Sequence, residues 1–433
     1  MGKIQDFNFW YSALRPFVDY HTRRSFHKCA EIGLKNIPKD GACIYGSNHC
    51  SALVDALVLL QTTWRRKVFI ARADIFKKPM TAKILRWLRI LPIFRLRDGL
   101  DSVRDKNGEI IDEAVDVIRD EVPLYLFPEA THRTKHSLRQ LSKGIFHIAL
   151  EANRKFGHEK PVYIIPTGLE YGDYFRFRQT VVVSYGKPIN VTEFVKEHEG
   201  ETEAQIINQL RTLLTEKIAE LISYIPDDED YDAIWEMVKI KGRRTLRRSP
   251  KTQLDINRQY IKEILELKKK SQTEAAELFQ KVKEFKQHRV DAGVSSMSVS
   301  KKVSIRNLLS KTLWSVLGFP YFILSFVLSS PIWLVNWLIQ RKLKDPAFKN
   351  TVNTCVELVL HPIINVTGMV LLFCLTPMEL AVFASIYLYI SYVLTVEYVE
   401  LVRLWISDLR WAFDWSLRRE FKAMDLYNIL KKE

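Results

Sequence analysis

The chain has 433 residues, more than one ordinary domain holds, so two or three domains are expected. A net charge of +15 favours an anionic partner: nucleic acid, an anionic membrane or a phosphorylated substrate. The five cysteines include no C-x-x-C pair, which argues against a zinc site and a disulfide framework. The first residues lack the pattern of a secretory signal, so the active part is expected to stay in the cytosol.

Residues 1–35 alternate bulky aromatic and basic side chains, among them Phe9, Trp10 and Arg15. The pattern predicts one or two amphipathic helices with an aromatic face. Such a face either packs on the rest of the domain or docks at a membrane interface, where aromatic and cationic side chains are both favoured.

Residues 36–225 alternate strand-like apolar runs with helical patterns. The strand-like runs are "ACIYGSN", "KVFIARA", "LPIFRL", "VPLYLFPE", "PVYIIPTGLEY" and "TVVVSYG". Helical patterns lie between most of them, over 51–61, 77–89, 108–120 and 143–155. This alternation predicts an α/β domain, a mixed sheet flanked by helices. Ligand sites in such folds gather where strands end and helices begin.

Residues 226–300 are predicted to form a basic helical region with a linker. One long helix is expected over 259–287, and a flexible linker over 290–302. The cations around Gly242 lie either in a solvated loop or against anionic lipid, where each adds on the order of 1 kcal/mol.

Residues 301–433 are predicted to form membrane-embedded helices with a C-terminal amphipathic tail, because 312–339 carries no charged residue. A buried helical bundle is the alternative. Basic residues flank this run on both sides, and Pro320 and Pro331 lie inside it. We therefore expect a broken, re-entrant hairpin with both ends in the cytosol. A second helical hairpin is expected to close at Thr376–Pro377.

His49 follows the first strand-like run of the α/β domain and opens a helical pattern, and Asp55 lies six residues further on. Histidine is the usual general base near neutral pH, and a carboxylate on its other ring nitrogen orients it. Residues six apart do not share a face of a regular helix, so a pair would need non-helical backbone after His49. The alternative is a structural histidine at a strand end, with Asn48 capping the helix or shaping the turn.

Three later stretches carry further candidates. Arg95 and Arg97, two apart at a strand end, lie on one side of an extended chain, where arginine suits a phosphate or carboxylate. Pro128 and Glu129 follow another apolar run, and Pro166 lies inside a third.

These four stretches, in this order, resemble the blocks of the glycerolipid acyltransferase superfamily, the glycerol-3-phosphate and 1-acylglycerol-3-phosphate acyltransferases. The family blocks are N-H-x4-D, an arginine after an apolar strand, F-P-E-G, and an apolar strand ending in proline. Here they read "NHCSALVD", "LPIFRLRD", "FPEATHR" and "VYIIPTG". The resemblance covers about residues 20–225 and implies the acyltransferase fold.

Two departures from the family pattern bear on the substrate more than on the reaction. Five residues separate His49 from Asp55, one more than usual, and this spacing is similar to that of the fungal-type glycerol-3-phosphate acyltransferases. Ala130 stands where the family has glycine. We expect a local distortion between Cys50 and Val54 that brings Asp55 back to the histidine ring.

The resemblance also implies roles for the first pair of residues. His49 would deprotonate an acceptor hydroxyl, which attacks an acyl thioester, and Asp55 would orient His49 and stabilise its imidazolium. No metal or cofactor is expected, because a thioester is already activated. Cys50 need not act as a nucleophile.

For the acceptor, the resemblance implies that Arg95 or Arg97, with Glu129 of the block that contains Pro128, holds the glycerol phosphate. Nearby basic residues either add phosphate contacts or form a solvated surface: His132, Arg133, Lys135 and Lys143.

The implied function is a membrane-bound O-acyltransferase of phospholipid synthesis, with its catalytic domain on the cytoplasmic side. It would move a fatty acyl group from acyl-CoA or acyl carrier protein to glycerol 3-phosphate or 1-acylglycerol 3-phosphate. Donor, acceptor and lipid bilayer are then the anionic partners; nucleic acid is not expected, because no recognition motif supports it. The alternatives are a lysophospholipid remodelling acyltransferase or transacylase, and a catalytically silent lipid-binding scaffold.

Overall fold

A computed structural model describes residues 2–94, 100–129, 131–157, 159–242, 248–300 and 304–424, with the backbone alone over 100–107. Arg95, Arg97 and Ala130 lie outside the described residues. The chain divides into two compact units: Met1–Phe175 with Gln179–Tyr224, and Arg176–Arg178 with Ile225–Glu433. The domain boundaries given above stay predictions.

The first unit alternates strands and helices. In chain order they are α1 (Phe9–Arg24), β1 (Phe26–Ile32), β2 (Ala42–Ser47), α2 (Leu53–Gln61), β3 (Val68–Arg72), α3 (Pro79–Trp87), β4 (Ile90–Ile93), α4 (Leu100–Arg119), β5 (Leu124–Leu126), α5 (Gly144–Phe156), β6 (Val162–Tyr171), β7 (Gln179–Tyr185), β8 (Ile189–Asn190), α6 (Val191–Glu197) and α7 (Glu203–Ala219).

Among the described residues, the strands form one mixed sheet in the order β1-β7-β6-β2-β5-β3-β4, with β8 paired to β6. Strands β6, β2, β5, β3 and β4 run parallel, whereas β7 and β8 are antiparallel to β6. The predicted mixed α/β sheet is confirmed. Parallel strands end at the same edge of a sheet, so the residues after β2 and β5 lie at one edge, where β4 also ends.

Strand β2 is buried on both sides, as is usual for a parallel strand between helices. Its side chains alternate between two cores. Ile44 belongs to the core under α4, α5 and α7, whereas Tyr45 belongs to the core under α2. Burial on both faces fixes the register of β2 and hence the position of the turn that follows it.

The expectation of helices throughout residues 1–35 is wrong in its second half, because β1 begins at Phe26. This strand pairs in parallel with β7 at the edge of the sheet. An edge strand has one neighbour and keeps polar side chains such as Lys28 and Glu31, so its sequence lacks the apolar run of a central strand.

The C-terminal end of α2 is held by two cations. The Lys67 ammonium donates to the carbonyl oxygens of Leu59 and Leu60 at 2.6 and 2.8 Å. The Arg15 guanidinium, from α1, donates to the carbonyl of Leu60 at 2.6 Å. Carbonyls at a helix C-terminus have no partner within the helix and carry partial negative charge, so these donors fix that end of α2.

The second unit is helical. Its helices are α8 (Tyr231–Lys241), α9 (Pro250–Lys270), α10 (Gln272–Asp291), α11 (Ser296–Val299), α12 (Ile305–Gln340), α13 (Phe348–Cys355), α14 (His361–Leu375), α15 (Met378–Phe413) and α16 (Trp415–Ala423), and a π-helical turn, Val356–Leu360, joins α13 to α14.

Two expectations for the basic helical region are wrong. The single helix over 259–287 is divided at Ser271, whose φ of −143° and ψ of 90° are extended. The flexible linker over 290–302 contains α11, and the Ser298 hydroxyl donates to Asp408 at 2.6 Å. Serine-rich composition suggests flexibility, but here the hydroxyls bond to a neighbouring helix.

Among the described residues, three helices are long and apolar enough to cross a membrane: Ile305–Gln340, Phe348–Leu375 and Met378–Phe413. Their apolar side chains are largely exposed, which suggests a membrane protein. The hairpin at Thr376–Pro377 is confirmed, because α14 ends at Leu375 and α15 begins at Met378.

The broken, re-entrant hairpin is wrong, since α12 runs without interruption through Pro320 and Pro331. Proline at 331 cannot donate to the carbonyl of Val327. The Ser330 hydroxyl does so instead, at 2.7 Å. Side chains of this kind replace the lost backbone bond and let an apolar helix tolerate proline. On which side of a membrane the ends of α12 lie stays a prediction.

Candidate active site

The turn between β2 and α2 is not helical. Ser47 ends the strand, and α2 begins only at Leu53. The preceding Ala52 has φ 47° and ψ −121°, a conformation that glycine adopts more easily. The distortion expected between Cys50 and Val54 is therefore present, and it returns the first turn of α2 toward the strand end.

Within the described residues, four donors reach the carboxylate of Asp55, which is fully buried. The Nδ1 atom of His49 lies 2.7 Å from Oδ2. The backbone N–H groups of Cys50 and Ser51 donate to the same oxygen at 2.7 and 2.8 Å. The Tyr171 hydroxyl donates to Oδ1 at 2.6 Å. These bonds compensate the burial of the charge, and they fix both carboxylate oxygens.

The His49 ring is held on one edge and one face. Donation from Nδ1 to Asp55 leaves the lone pair of a neutral ring on Nε2. The ring stacks on Phe127 with centroids 4.4 Å apart, and its side chain is 17% exposed. A fixed imidazole with an accessible lone pair can take a proton from a bound hydroxyl.

Sequence reasoning missed Tyr171. Burial and the neighbouring Asp55 carboxylate raise the pKa of its phenol, so the hydroxyl stays protonated and acts as a donor. Tyr171 lies at the end of β6, the strand of the proline block, but 116 positions separate it from Asp55. Pairing of β6 with β2 brings them together, because Ser47 pairs with Thr167 and β6 continues past the end of β2.

Asn48 neither caps α2 nor points to solvent. Its side chain accepts from the backbone N–H of Leu169 at 2.7 Å and donates to the Leu169 carbonyl at 2.9 Å. These two bonds tie the turn to β6. Cys50, beside it, is buried, and burial raises the pKa of the thiol well above its usual range, which makes it a poor nucleophile.

Glu129 joins two loops. One of its carboxylate oxygens accepts from the backbone N–H of His49 at 3.0 Å, and the other accepts from that of Arg139 at 3.0 Å. Burial raises the pKa of Glu129, and the two backbone bonds oppose that rise. This geometry makes Glu129 a positioning group for the turn that carries His49. Its contact with an acceptor stays a prediction.

The basic loop, residues 131–143, lies beside the histidine. The backbone N–H of Arg133 donates to the His49 carbonyl at 2.8 Å, and the His132 and His49 rings lie edge to face, 5.8 Å apart. The Pro128 carbonyl accepts from Ser142 at 2.7 Å, next to the exposed Lys143. The side chains of Arg133 and Lys143 are thus carried by a loop that is bonded to the turn of His49.

A second buried histidine and carboxylate lie at the end of β6. Nδ1 of His136 lies 3.4 Å from Glu170 Oε1 and 3.2 Å from the Tyr174 hydroxyl. The other Glu170 oxygen accepts from the backbone of Ser223 at 3.0 Å. Burial raises the pKa of Glu170, but His136 and Ser223 outweigh it, so the net pKa is lowered and the group stays ionised.

Of the remaining candidates, Pro166 lies within the described residues. Pro166 lies in β6 and pairs with Gly46 of β2. Arg95 and Arg97 are outside the described residues, but β4, which precedes them, ends at Ile93 on the same edge as β2 and β5. The carboxyl edge therefore carries the turn of His49 and the loop of Glu129.

Comparison with known proteins relates the part of the chain that carries this site to a protein family. Residues 29–170 match the family model described as Acyltransferase. The chain is similar to the crystal structure of the 1-acyl-sn-glycerophosphate (LPA) acyltransferase, PlsC, from Thermotoga maritima, with 19% identity over 49% of this chain and 80% of that chain and a TM-score of 0.33. No curated protein matches the chain.

Proposed function

We propose, from the match of residues 29–170 to the Acyltransferase family model, that this protein acylates a phosphorylated glycerol. The donor is an acyl thioester, of CoA or acyl carrier protein. The acceptor is glycerol 3-phosphate or 1-acylglycerol 3-phosphate. The observation that carries the proposal is the His49–Asp55 pair, held by buried donors at the carboxyl edge of the sheet within the matched residues.

In the proposed reaction, Nε2 of His49 takes the proton of the acceptor hydroxyl as the oxygen attacks the thioester carbonyl. The new C–O bond forms, the C–S bond breaks, and the imidazolium returns its proton to the leaving thiolate. Asp55 stabilises the transient imidazolium. Because the carboxylate is already bonded and oriented, little reorganisation is needed when that charge appears.

The acceptor phosphate is proposed to bind among the cations of the basic loop. Arg133 is one of them, and its backbone N–H donates to the His49 carbonyl. Arg95 or Arg97 would add a second guanidinium, as the resemblance implies. Guanidinium groups bind phosphate through paired hydrogen bonds. A cytoplasmic catalytic unit on a membrane-embedded chain would meet soluble donors and lipid products on the same side.

Purified full-length protein in detergent tests the proposal. Labelled acyl-CoA is incubated with glycerol 3-phosphate, dihydroxyacetone phosphate or lysophosphatidic acid. Transfer to one of them is expected, with loss of at least about a thousandfold in His49→Ala. His147→Ala is the matched control, because His147 is a half-exposed histidine on α5 that pairs with Glu203. Full activity in His49→Ala refutes the mechanism, and a wild type that acylates no acceptor favours the silent scaffold.

A further inference from the structure

The last two residues of β6, Glu170 and Tyr171, contact different halves of the site. Successive residues on a strand point to opposite faces of the sheet. Tyr171 donates to Asp55 at 2.6 Å, whereas Glu170 pairs with His136, which lies in the basic loop, at 3.4 Å. Both side chains are at least nine-tenths buried.

Tyr171 completes the orientation of Asp55. The backbone donors from Cys50 and Ser51, and His49 itself, all reach Oδ2. Tyr171 reaches Oδ1 and so fixes the rotation of the carboxylate. Its hydroxyl also stabilises part of the negative charge that would otherwise act on the imidazolium.

Glu170 holds the middle of the basic loop. The loop is tied at one point by the Arg133 backbone, which bonds to His49, and at another by the Arg139 backbone, which bonds to Glu129. His136 lies between these points, buried against Glu170 and Tyr174. An ionised carboxylate beside a buried histidine holds that part of the chain in place.

We propose that Tyr171 and Glu170 are positioning residues with separate tasks: Tyr171 orients the His49–Asp55 pair, and Glu170, through His136, positions the basic loop for the acceptor phosphate. The inference rests on the proposed function, since it assigns the positioning of the base and the positioning of the phosphate-binding loop in that reaction to different residues. Neither residue touches the reacting atoms.

Tyr171→Phe tests the first task in kinetics. We expect kcat to fall about tenfold, the loss typical of one hydrogen bond to a charged group, with the acceptor KM unchanged within about twofold. The acid limb of the pH–rate profile should move about half a pH unit upward, because an Asp55 without the phenol attracts the imidazolium more strongly. Cys50 and Cys29, the other titratable groups near Tyr171, stay in place. Glu129 and His132, which lie beside His49, also stay in place.

Tyr185→Phe is the matched control for Tyr171→Phe. Tyr185 is an equally buried tyrosine on β7, and its hydroxyl bonds to Thr62 at 2.9 Å, away from the carboxylate. We expect the acid limb of the pH–rate profile of Tyr185→Phe to stay where it is in the wild type. If the two variants have the same pH profile, the Tyr171 task is refuted.

Glu170→Gln and His136→Gln test the second task. Each should raise the acceptor KM about tenfold and leave the acid limb where it is in the wild type. Two variants are used because a substitution at either partner changes the contact between Glu170 and His136. Melting curves identify the variant that keeps the fold. A fall in kcat with an unchanged acceptor KM overturns this half of the proposal.

Two measurements that do not need turnover separate this inference from the proposed function. The titration of His49 can be followed by carbon-13 signals of labelled histidine in the full chain, with His49→Gln for assignment. Binding of glycerol 3-phosphate can be followed by calorimetry. If no acceptor is acylated but Tyr171→Phe still moves the titration upward, the proposed reaction fails and the Tyr171 task stands. A wild type that binds neither glycerol 3-phosphate nor 1-acylglycerol 3-phosphate, measured in the same way, overturns the Glu170 task.

Discussion

The two units of this chain bury polar side chains in different ways. In the first unit the polar contacts converge, because four donors meet on the single carboxylate of Asp55. In the apolar helices of the second unit they are dispersed: Ser329 with Thr395 at 3.2 Å, and Asn336 with Asn353 at 2.7 Å.

The difference separates two uses of buried polarity. A convergent network fixes one charged group in one orientation, so its loss should be felt in the chemistry. Dispersed pairs join helices at many points, so each should contribute a small part of the stability and none of the reaction. Variants in the two units can therefore be ranked in advance.

The largest effect is expected from Asp55→Asn. The neutral amide of asparagine cannot stabilise the imidazolium. Its NH2 group would also face one or more of the four hydrogen-bond donors that the Asp55 carboxylate accepts from. We expect kcat to fall about a thousandfold or more. The measurement is the initial rate of acyl transfer at saturating substrates. Asp116→Asn is the control, because Asp116 is a half-exposed aspartate on α4 that pairs with Arg119. A fall in kcat of less than about tenfold would contradict the view that the four donors fix Asp55 for the reaction.

The next effect belongs to stability alone. Glu236 and Arg289 form a buried ion pair at 2.7 Å in the helical bundle of the second unit. Arg289→Met leaves the carboxylate buried with Lys239 as its remaining cation, and should cost about 3 kcal/mol or more. Adding Glu236→Leu should recover most of that loss. Melting in detergent measures both, and a loss of kcat at low temperature would contradict the assignment.

The Glu236–Arg289 pair also makes the stability of the folded chain depend on pH. Burial raises the pKa of Glu236, but Lys239 and Arg289 outweigh it, so its net pKa in the folded chain is lowered. A lowered pKa contributes stability above the unfolded value, about 4.3, and that contribution is lost as the pH falls through the folded value. The melting temperature of Glu236→Gln should therefore fall less on acidification below that value than the wild type does.

A smaller effect is expected from Asn336→Leu in α12. The variant removes the bond to Asn353 and should cost about 1 kcal/mol, the range of single hydrogen bonds between membrane helices. Unfolding by a denaturing detergent measures it. Leu334→Val, at an exposed apolar position of the same helix, is the control with an expected change near zero. A loss of acyl transfer in Asn336→Leu would show that the helices take part in the chemistry.

The smallest effect is expected from Ala52→Gly. Glycine adopts a φ of 47° without the penalty that alanine has there, so the variant should gain up to about 1 kcal/mol. The kcat should stay within about twofold of the wild type, because the carboxylate keeps its donors. Destabilisation would mean that the methyl group of Ala52 packs against its neighbours and outweighs the strain.

Much of the fold follows from local patterns. The central strands are continuous apolar runs, and the three long helices lack charge, so both were predicted from sequence. Strand β1 was missed because an edge strand keeps polar residues, and the break in α12 was predicted wrongly because Ser330 replaces a bond that Pro331 cannot make. Both depend on neighbours that periodicity does not report.

For the site, sequence indicated the residues that follow strands. His49 and Asp55 were found, and so was the need for a distorted turn. Tyr171 and the Asn48–Leu169 bonds were missed, because register between distant strands places them. The roles of Arg95, Arg97 and Lys143 stay predictions.

The conformation of Ala52 bears on how such proteins are recognised. The inserted residue is absorbed in one backbone turn, and the His49 and Asp55 atoms still lie 2.7 Å apart. A search pattern that fixes four residues between histidine and aspartate would reject this chain, although the pair is intact. A pattern that allows four or five intervening residues would find chains that differ in length but share the same contact.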